Sequence, residues 1–222
     1  MSSGSSGPGP VIRAVGRAMN ALVARAPATW PLLRAPMRSF FDRQADGWDE
    51  RTGAGSAEHL APLAAALLHV RPPPERALEL GTGTGTGALL IAREFPLARV
   101  RGVDLSEEMI RLARHRIGLD PDGRVAFKLA DASSLPYEDD SFDLVAQLNM
   151  PPFFRETARV LRPGGHAIVA TSWGAATPFY TPSAVLERGF RRRGLKTVES
   201  GEAGRGTYTV ARAPAPASTA TA

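Results

Sequence analysis

Short apolar runs alternate with helical patterns between residues 77 and 193, and this rhythm constrains the fold more than any other feature of the chain. The apolar runs are 77–80, 100–103, 125–129, 142–148 and 167–171, and the helical patterns are 87–95, 107–117, 153–161 and 182–193. Strands that alternate with helices form a parallel sheet with helices on both faces. The rhythm therefore predicts a doubly wound α/β domain.

The C-terminal part of the chain does not continue this alternation of strands and helices. Two strand-like runs, 195–199 and 207–212, are joined by the glycine-rich link 200–206. A parallel connection needs about a dozen residues or more, so this link is too short for a crossover helix. We therefore expect the two runs to pair as an antiparallel hairpin.

The N-terminal segment differs from the rest of the chain in its charge. The first 41 residues contain five arginines and no acidic residue, whereas the whole chain carries 27 basic and 22 acidic residues. Because the positive charge is local, the composition does not favour a nucleic-acid partner. Residues 1–10 are interpreted as a flexible tail or tag, 11–41 as a basic helical segment, 42–212 as the main domain and 213–222 as a disordered tail.

The role of segment 11–41 has two interpretations. Its apolar residues recur every three to four positions from Val11 to Val23, with arginines on another face, which predicts an amphipathic helix that ends before Pro27. Such a helix is typical of a lid over an active site, and its acid-free composition is also typical of an organelle transit peptide. The lid is the favoured interpretation.

Composition excludes several kinds of site. The chain contains no cysteine, which rules out disulfides, thiolate metal sites and cysteine nucleophiles. The four histidines are too scattered for a metal-binding motif, so no metal is predicted and surface or capping positions are expected for them. No apolar stretch approaches the roughly 20 residues that cross a bilayer, and we expect a cytoplasmic protein.

A glycine-rich loop, residues 81–87, joins the first predicted strand to its helix. Glycine allows positive φ and close approach of a ligand to the backbone, and free amides at the following helix attract a negative group. Gly83, Gly85 and Ala88 also fit the fingerprint of NAD-binding domains, with Asp104 at the distance of a ribose-binding acid. The loop alone predicts a nucleotide-like ligand and leaves its identity open.

Five motifs in sequence order resemble those of class I S-adenosylmethionine-dependent methyltransferases of the small-molecule type. They are Glu79 with the glycines at 81, 83 and 85, then Gly102–Ser106, Ala130–Ala132, Ser141–Val145 and Arg159–Gly165. The resemblance covers roughly residues 40–212. It implies a Rossmann-like, doubly wound sheet of seven strands, mostly parallel with a C-terminal antiparallel strand, and S-adenosylmethionine as the cofactor.

The resemblance also implies a role for each motif. Asp104 would accept hydrogen bonds from the ribose hydroxyls, with Leu105 against the adenine face. Asp131 would accept from the adenine amino group, the backbone of Ala132 would bind the ring edge, and Glu79 would order the loop and bind the methionine amino group. The complete set of implied cofactor-binding residues is Glu79, Gly81, Thr82, Gly83, Gly85, Asp104, Leu105, Asp131, Ala132, Leu148 and Trp48.

Asp104, Asp131 and Trp48 can also be explained by a structural role that involves no cofactor. Asp104 is also well placed to cap the next helix, and Asp131 to stabilise a turn before Ser133. Trp48 and Asp49 resemble an aromatic–aspartate pair that folds over the cofactor in this family, but Trp48 is equally suited to the core. Asp143 is expected at the opposite edge of the sheet, in a structural role.

The reaction implied by the resemblance is in-line transfer of a methyl group to a small-molecule acceptor. Such an enzyme aligns acceptor and methyl group and excludes water, and it needs a base only when the acceptor arrives protonated. No catalytic residue is assigned, and the acceptor is expected above the fourth and fifth strands. Three alternatives stay open: an N-methyltransferase of nucleic acid or protein, suggested by Asn149 with the prolines at 151 and 152, a non-catalytic cofactor-binding module, and a dehydrogenase.

Overall fold

A computed structural model describes residues 10–118, 120 and 122–215 of this chain, so most of the predicted terminal tails lies outside the described residues. Within the described part, the helices are Pro10–Arg25 (α1), Trp30–Gln44 (α2), Trp48–Thr52 (α3), Ala57–Leu67 (α4), Thr86–Glu94 (α5), Glu107–Ile117 (α6), Phe154–Val160 (α7) and Ser183–Arg191 (α8). The strands are Arg76–Leu80 (β1), Arg99–Asp104 (β2), Val125–Leu129 (β3), Phe142–Leu148 (β4), Leu161–Thr171 (β5), Lys196–Ala203 (β6) and Gly206–Arg212 (β7).

The strands form one sheet in the order β3-β2-β1-β4-β5-β7-β6. Strands β1 to β5 pair in parallel, and β7 pairs antiparallel with both β5 and β6. The predicted doubly wound sheet with a C-terminal antiparallel strand is therefore confirmed. The chain order reverses between β1 and β4, and ligands of such sheets bind beside the carboxyl ends of the strands at this reversal.

The C-terminal hairpin is longer than predicted. Ala203 pairs with Gly206, so residues 204–205 alone form the turn, and the predicted link 200–206 is mostly strand. Most residues of β6 are exposed or half-buried, because β6 is an edge strand that pairs only with β7. An edge strand of this kind does not need the alternating apolar side chains on which the sequence prediction depended.

The N-terminal segment contains one helix that the sequence analysis did not predict. Helix α1 agrees with the predicted amphipathic helix, but α2 follows it and runs across the predicted boundary between residues 41 and 42. Pro31 lies in the first turn of α2, where a helix does not need the missing backbone N–H. Trp30 of α2 is buried, whereas Leu32 is 80% exposed, so α2 has one face on the domain and one face in solvent.

The core consists of two apolar layers, one on each face of the sheet. Successive residues of β1 point to opposite layers: Ala77 packs with Leu144 and Ile168, whereas Leu78 packs with Val145 and Val169. The layer that contains Leu78 also contains Trp30, which joins α2 to the core. The sheet is thus covered on both faces, and its carboxyl-end edge carries the glycine loop.

Strand β2 passes under the glycine loop at Gly102. A Cβ at this position would lie 2.5 Å from the Phe127 ring and 2.7 Å from the Thr82 hydroxyl, and both neighbours are buried. Glycine therefore allows the loop to pack directly on the strand that presents Asp104.

We predict that Gly102→Ala lowers the free energy of unfolding by about 1–3 kcal/mol, because the added methyl group overpacks this contact. Urea denaturation followed by circular dichroism measures the change. Leu97→Ala, at a side chain that is 95% exposed, is the control and should change stability by no more than about 0.5 kcal/mol. Equal stability of Gly102→Ala and the wild type would contradict the packing described here.

Candidate functional site

The carboxyl ends of β1, β2 and β3 bring the predicted site residues to one edge of the sheet. Gly81 follows β1 directly, Asp104 is the last residue of β2, and Asp131 lies two residues beyond β3. The strands are neighbours in parallel register, so their last residues lie side by side. The structure thus brings together the loop and both aspartates that the sequence analysis singled out.

The glycine loop has a backbone conformation that favours glycine. Gly81, Gly83 and Gly85 have φ angles of 61°, 51° and 84°, in the left-handed region. A Cβ built on Gly83 would meet no atom within 4 Å, so the backbone here borders open space. A Cβ on Gly81 would lie 2.7 Å from the sulfur of Met150, which follows β4. The loop therefore presents bare backbone to a ligand at Gly83.

Glu79 holds the loop from beneath. Its side chain is buried, and it accepts hydrogen bonds from the Thr82 hydroxyl and the Ala88 amide. The carboxyl group also fills the space that a Cβ on Gly87 would need. Burial raises the pKa of Glu79 to about 8. These contacts agree with the predicted ordering role, and contact with a methionine amino group stays a prediction.

Asp104 joins the glycine loop to the start of α6. One carboxylate oxygen accepts the Gly83 amide at 2.8 Å, and the other accepts the Ser106 amide at 2.9 Å. Burial raises the pKa of Asp104 above its usual value. A backbone hydrogen bond from Leu105 is the third at this carboxylate, which accepts about four, so about one acceptor position remains. Asp104 therefore contacts the start of α6, whose N-cap is Ser106, and its remaining acceptor position suits a hydroxyl donor.

Asp131 closes the turn after β3 and meets two residues of α2. Its Oδ1 accepts the Ser133 amide at 2.8 Å, and the Trp30 indole N–H donates to Oδ1 and Oδ2 at 2.8 and 3.0 Å. A guanidinium nitrogen of Arg34 lies 3.7 Å from Oδ2. Ala132, next in the chain, is buried. The acid predicted to bind adenine is thus covered by the N-terminal segment.

Helices α2 and α3 also contact the loop region. Asp42 accepts a hydrogen bond from the Ser106 hydroxyl at 2.6 Å, and Asp49 accepts one from the Thr84 hydroxyl at 2.7 Å. Asp49 forms an ion pair with Arg116 as well. The Trp48 ring packs edge-to-face on Phe41, with 5.6 Å between centroids. Of the Trp48–Asp49 pair, Asp49 contacts the glycine loop directly, and Trp48 supports the segment.

Helix α1 is anchored on the opposite side of the same edge. The Asn20 side chain donates to the carbonyls of Phe179 and Tyr180, each at 3.2 Å, and to the Thr181 hydroxyl at 2.7 Å. These residues belong to the connection between β5 and α8. The N-terminal helices therefore reach from the glycine loop to the β5–α8 connection.

The polar residues at the ends of β4 and β5 bind one another. Asn149 has a φ of 54°, accepts the Ser172 amide at 2.9 Å and donates to the Ser172 hydroxyl at 2.7 Å. Its amide nitrogen also lies 3.3 Å from Nε2 of His59. Gln147 is fully buried and accepts the Phe153 amide. Leu148, predicted to contact the cofactor, is 9% exposed.

Two histidines differ from the sequence expectation. His59 and His166 are 8% and 3% exposed rather than at the surface. Burial lowers the pKa of His59, and it lowers the pKa of His166 to about 4, so neutral rings are favoured. A neutral ring costs less to bury than a charged one, which explains how both fit into the interior.

Trp30 and Asp42 belong to this edge but were missed by the sequence analysis. Pro27 and Pro31 suggested the end of the N-terminal helix, and so the apolar spacing of Trp30, Leu33, Met37 and Phe41 was not interpreted as a second helix. That spacing was the available signal. A helix tolerates proline in its first turn, so placing Pro31 there would have led to the prediction of α2.

Sequence comparison gives a family match over the centre of the chain. Residues 77–165 match the model of a methyltransferase domain. The chain is 39% identical over 123 residues to malonyl-[acyl-carrier protein] O-methyltransferase of Methylococcus capsulatus, covering 52% of this chain and 43% of that protein. It is 33% identical over 144 residues to demethylmenaquinone methyltransferase of Symbiobacterium thermophilum, covering 60% and 57%. The chain thus spans about half the length of these curated relatives.

Solved structures share the fold. A SAM-dependent methyltransferase from Aquifex aeolicus matches with a TM-score of 0.58 and 18% identity, covering 70% of this chain and 91% of that one. Phosphoethanolamine N-methyltransferase 2 from Haemonchus contortus, in complex with S-adenosyl-L-methionine, matches with a TM-score of 0.63 and 20% identity, covering 80% and 60%. At sequence identities of 18% and 20%, these matches show a shared fold alone.

The described residues contain neither a candidate metal site nor a helix that could span a membrane. Among residues 10–118, 120 and 122–215, no group of three or more histidine, aspartate and glutamate side chains converges as a candidate metal site. In the same part of the chain, no helix is long and apolar enough to cross a membrane.

We predict that Glu79→Gln alters the pH dependence of stability. The pKa of Glu79 is about 8 in the folded protein and near 4.5 when unfolded, so between these values the folded state binds the extra proton. The free energy of unfolding of the wild type, relative to the variant, should then fall as pH rises from 5 to 8, by at most about 1.4 kcal/mol per pH unit. Urea titrations at pH 5, 6, 7 and 8 measure this difference, and a constant difference would contradict the buried, protonated carboxyl group.

Proposed function

Through residues 77–165 this chain belongs to the class I S-adenosylmethionine-dependent methyltransferases, and we propose that it transfers a methyl group from S-adenosylmethionine to a small-molecule acceptor. The observation that carries the proposal is the meeting of the glycine loop with Asp104 and Asp131 at one sheet edge. A loop with bare backbone beside two carboxylates suits a ligand that combines an amino acid, a diol and an amino-substituted ring.

The residues at this edge fit the cofactor in kind and in spacing. Gly83 borders open space, so its backbone is accessible to a ligand. Asp104 lies beside that glycine, and the acceptor capacity that its backbone contacts leave would serve the ribose hydroxyls; a charged acceptor makes such bonds stronger than neutral ones. Leu105 and Ala132 supply apolar surface for the adenine, and Gly81, Thr82 and Gly85 shape the loop around the methionine end.

The glycine loop, Asp104 and Asp131 would hold S-adenosylmethionine, which would supply an electrophilic methyl group to a lone pair of the acceptor. The chain's own residues position the reactants and exclude water. Helices α1 to α3 serve the second purpose as a lid, since Asn20 and Asp49 attach them to the β5–α8 connection and to the glycine loop. A general base is not assigned.

Two observations support a small-molecule acceptor. The N-terminal helices cover the edge of the sheet, which favours an acceptor small enough to be enclosed. The Asn149 side chain is bound to Ser172 through both its oxygen and its nitrogen, and its nitrogen lies near His59, which favours a structural role over binding the amino group of a base or a protein side chain. The relatives named above include a demethylmenaquinone methyltransferase, and 27-O-demethylrifamycin SV methyltransferase of Amycolatopsis mediterranei is 37% identical over 128 residues.

The test is formation of S-adenosylhomocysteine, measured by mass spectrometry, with S-adenosylmethionine and a panel of phenol, hydroquinone and carboxylic acid acceptors. We expect product above the acceptor-free rate with at least one of them. Transfer only to an oligonucleotide or a protein mixture would contradict the small-molecule acceptor. Binding of the cofactor without transfer to any acceptor would identify a non-catalytic module.

We predict that Asp104→Asn weakens the binding of S-adenosylhomocysteine at least tenfold, because the neutral amide offers fewer acceptor positions to the ribose hydroxyls. Isothermal titration calorimetry measures the dissociation constant. Asp139→Asn is the matched control, since Asp139 is 74% exposed and pairs with Arg159 away from the loop. An unchanged dissociation constant for Asp104→Asn, with a folded variant, would overturn the assignment of Asp104.

A further inference from the structure

The Trp30 indole N–H donates a hydrogen bond to Asp131, the carboxylate that is predicted to bind the adenine amino group. Its N–H lies 2.8 and 3.0 Å from the two oxygens of Asp131, so both oxygens face the same donor. Trp30 is only 6% exposed, and the Asp131 side chain only 15%. The contact is therefore a buried, charge-assisted hydrogen bond between the N-terminal segment and the cofactor edge.

Counting acceptor positions shows that little of Asp131 is left for a second ligand. A carboxylate accepts about four hydrogen bonds. The Ser133 amide uses one position on Oδ1, the indole N–H is shared between Oδ1 and Oδ2, and the Arg34 guanidinium lies 3.7 Å from Oδ2. About one position therefore remains, on Oδ2, and the indole N–H holds the place between the two oxygens. An adenine amino group that donates to this carboxylate from the same side competes with the indole for it.

Trp30 is held in this position by its helix. The ring packs edge-to-face on Phe153, with centroids 5.1 Å apart, and it is the first residue of α2. The other end of α2 is fixed by the hydrogen bond between Asp42 and Ser106. After α2, Gly47 adopts a left-handed φ of 64°. Trp30 therefore leaves Asp131 when the N-terminal end of α2 moves away from the sheet edge.

We propose that Trp30 is a gate residue that competes with the adenine amino group for Asp131, so that the cofactor binds when α2 withdraws the indole. The proposal rests on the proposed function, because it takes Asp131 as the adenine acceptor. The apparent affinity for the cofactor then equals the intrinsic affinity multiplied by the fraction of molecules in which Asp131 is free. It does not involve the Asp104 contacts.

Trp30→Phe tests the gate, because phenylalanine keeps an aromatic ring against Phe153 and removes the N–H donor. We expect this variant to bind S-adenosylhomocysteine about ten- to a hundredfold more tightly than the wild type in calorimetry, the range that follows from losing one hydrogen bond to a charged group. Leu32→Ala, on the solvent face of the same helix and 80% exposed, should bind like the wild type. An unchanged or weaker affinity of Trp30→Phe would overturn the proposal.

A second ligand separates competition for Asp131 from a general loosening of the lid. S-inosylhomocysteine carries a carbonyl oxygen in place of the amino group, so it has no donor for Asp131 at that position. The gain in affinity on Trp30→Phe should be less than twofold for this ligand, and an equal gain for both ligands would overturn the gate. If no form of the protein binds S-adenosylhomocysteine, the proposed function itself fails.

Hydrogen exchange of the wild type provides a test that needs no variant. Backbone amides of residues 28–36 should exchange several-fold faster when S-adenosylhomocysteine is added, because the start of α2 leaves the sheet edge. Amides of β1 and β4 should be unaffected or slower. Slower exchange across residues 28–36 would show that α2 closes on the ligand with Trp30 in place, which would overturn the proposal.

Discussion

Parallel strands that end side by side are the constraint on which the rest of this structure depends. They place the glycine loop after β1, Asp104 at the end of β2 and Asp131 just beyond β3 on the same edge of the sheet. Backbone amides hold both aspartates: Asp104 accepts from Gly83 and Ser106, and Asp131 accepts from Ser133. Turn geometry thus fixes the two carboxylates, and side-chain contacts from the N-terminal helices are added to it.

The N-terminal helices contact this edge of the sheet at several points. They contribute contacts at both ends, Asn20 with the β5–α8 connection and Asp49 with the glycine loop, and between them Trp30 binds Asp131. The positive charge noted in the sequence belongs to this segment, and one of its arginines, Arg34, lies near Asp131. The segment therefore contacts the edge that carries the glycine loop and both aspartates, where a lid would lie, and the lid role stays a proposal.

Much of the fold was predictable because the strands of a parallel sheet are buried on both faces. Runs such as 142–148 and 100–103 are apolar for that reason, and their boundaries agree with β4 and β2 to within a residue. The edge strand β6 lacks that signal, so it was predicted too short. Helix α2 was missed because Pro27 and Pro31 suggested a break, although Pro31 lies where a helix tolerates proline.

The sequence predicts those parts of the candidate site that lie directly after strands. The glycine loop was found from its position after an apolar run, and Asp104 and Asp131 were found from motifs that resemble those of class I methyltransferases. The partners of those residues, Trp30 for Asp131 and Ser172 for Asn149, are separated by 101 and 23 residues and depend on tertiary packing. No local pattern in the sequence specifies them, and the buried state of His59 has the same origin.

Binding of nucleotide-like ligands to the full chain tests the central claim most directly. Calorimetric titrations with S-adenosylhomocysteine and with NAD, at the same protein concentration and salt, compare the two ligands that a glycine loop of this kind can accept. The account predicts saturable binding of S-adenosylhomocysteine at one site per chain and at least tenfold weaker binding of NAD. Tighter binding of NAD, or no binding of S-adenosylhomocysteine, would contradict it.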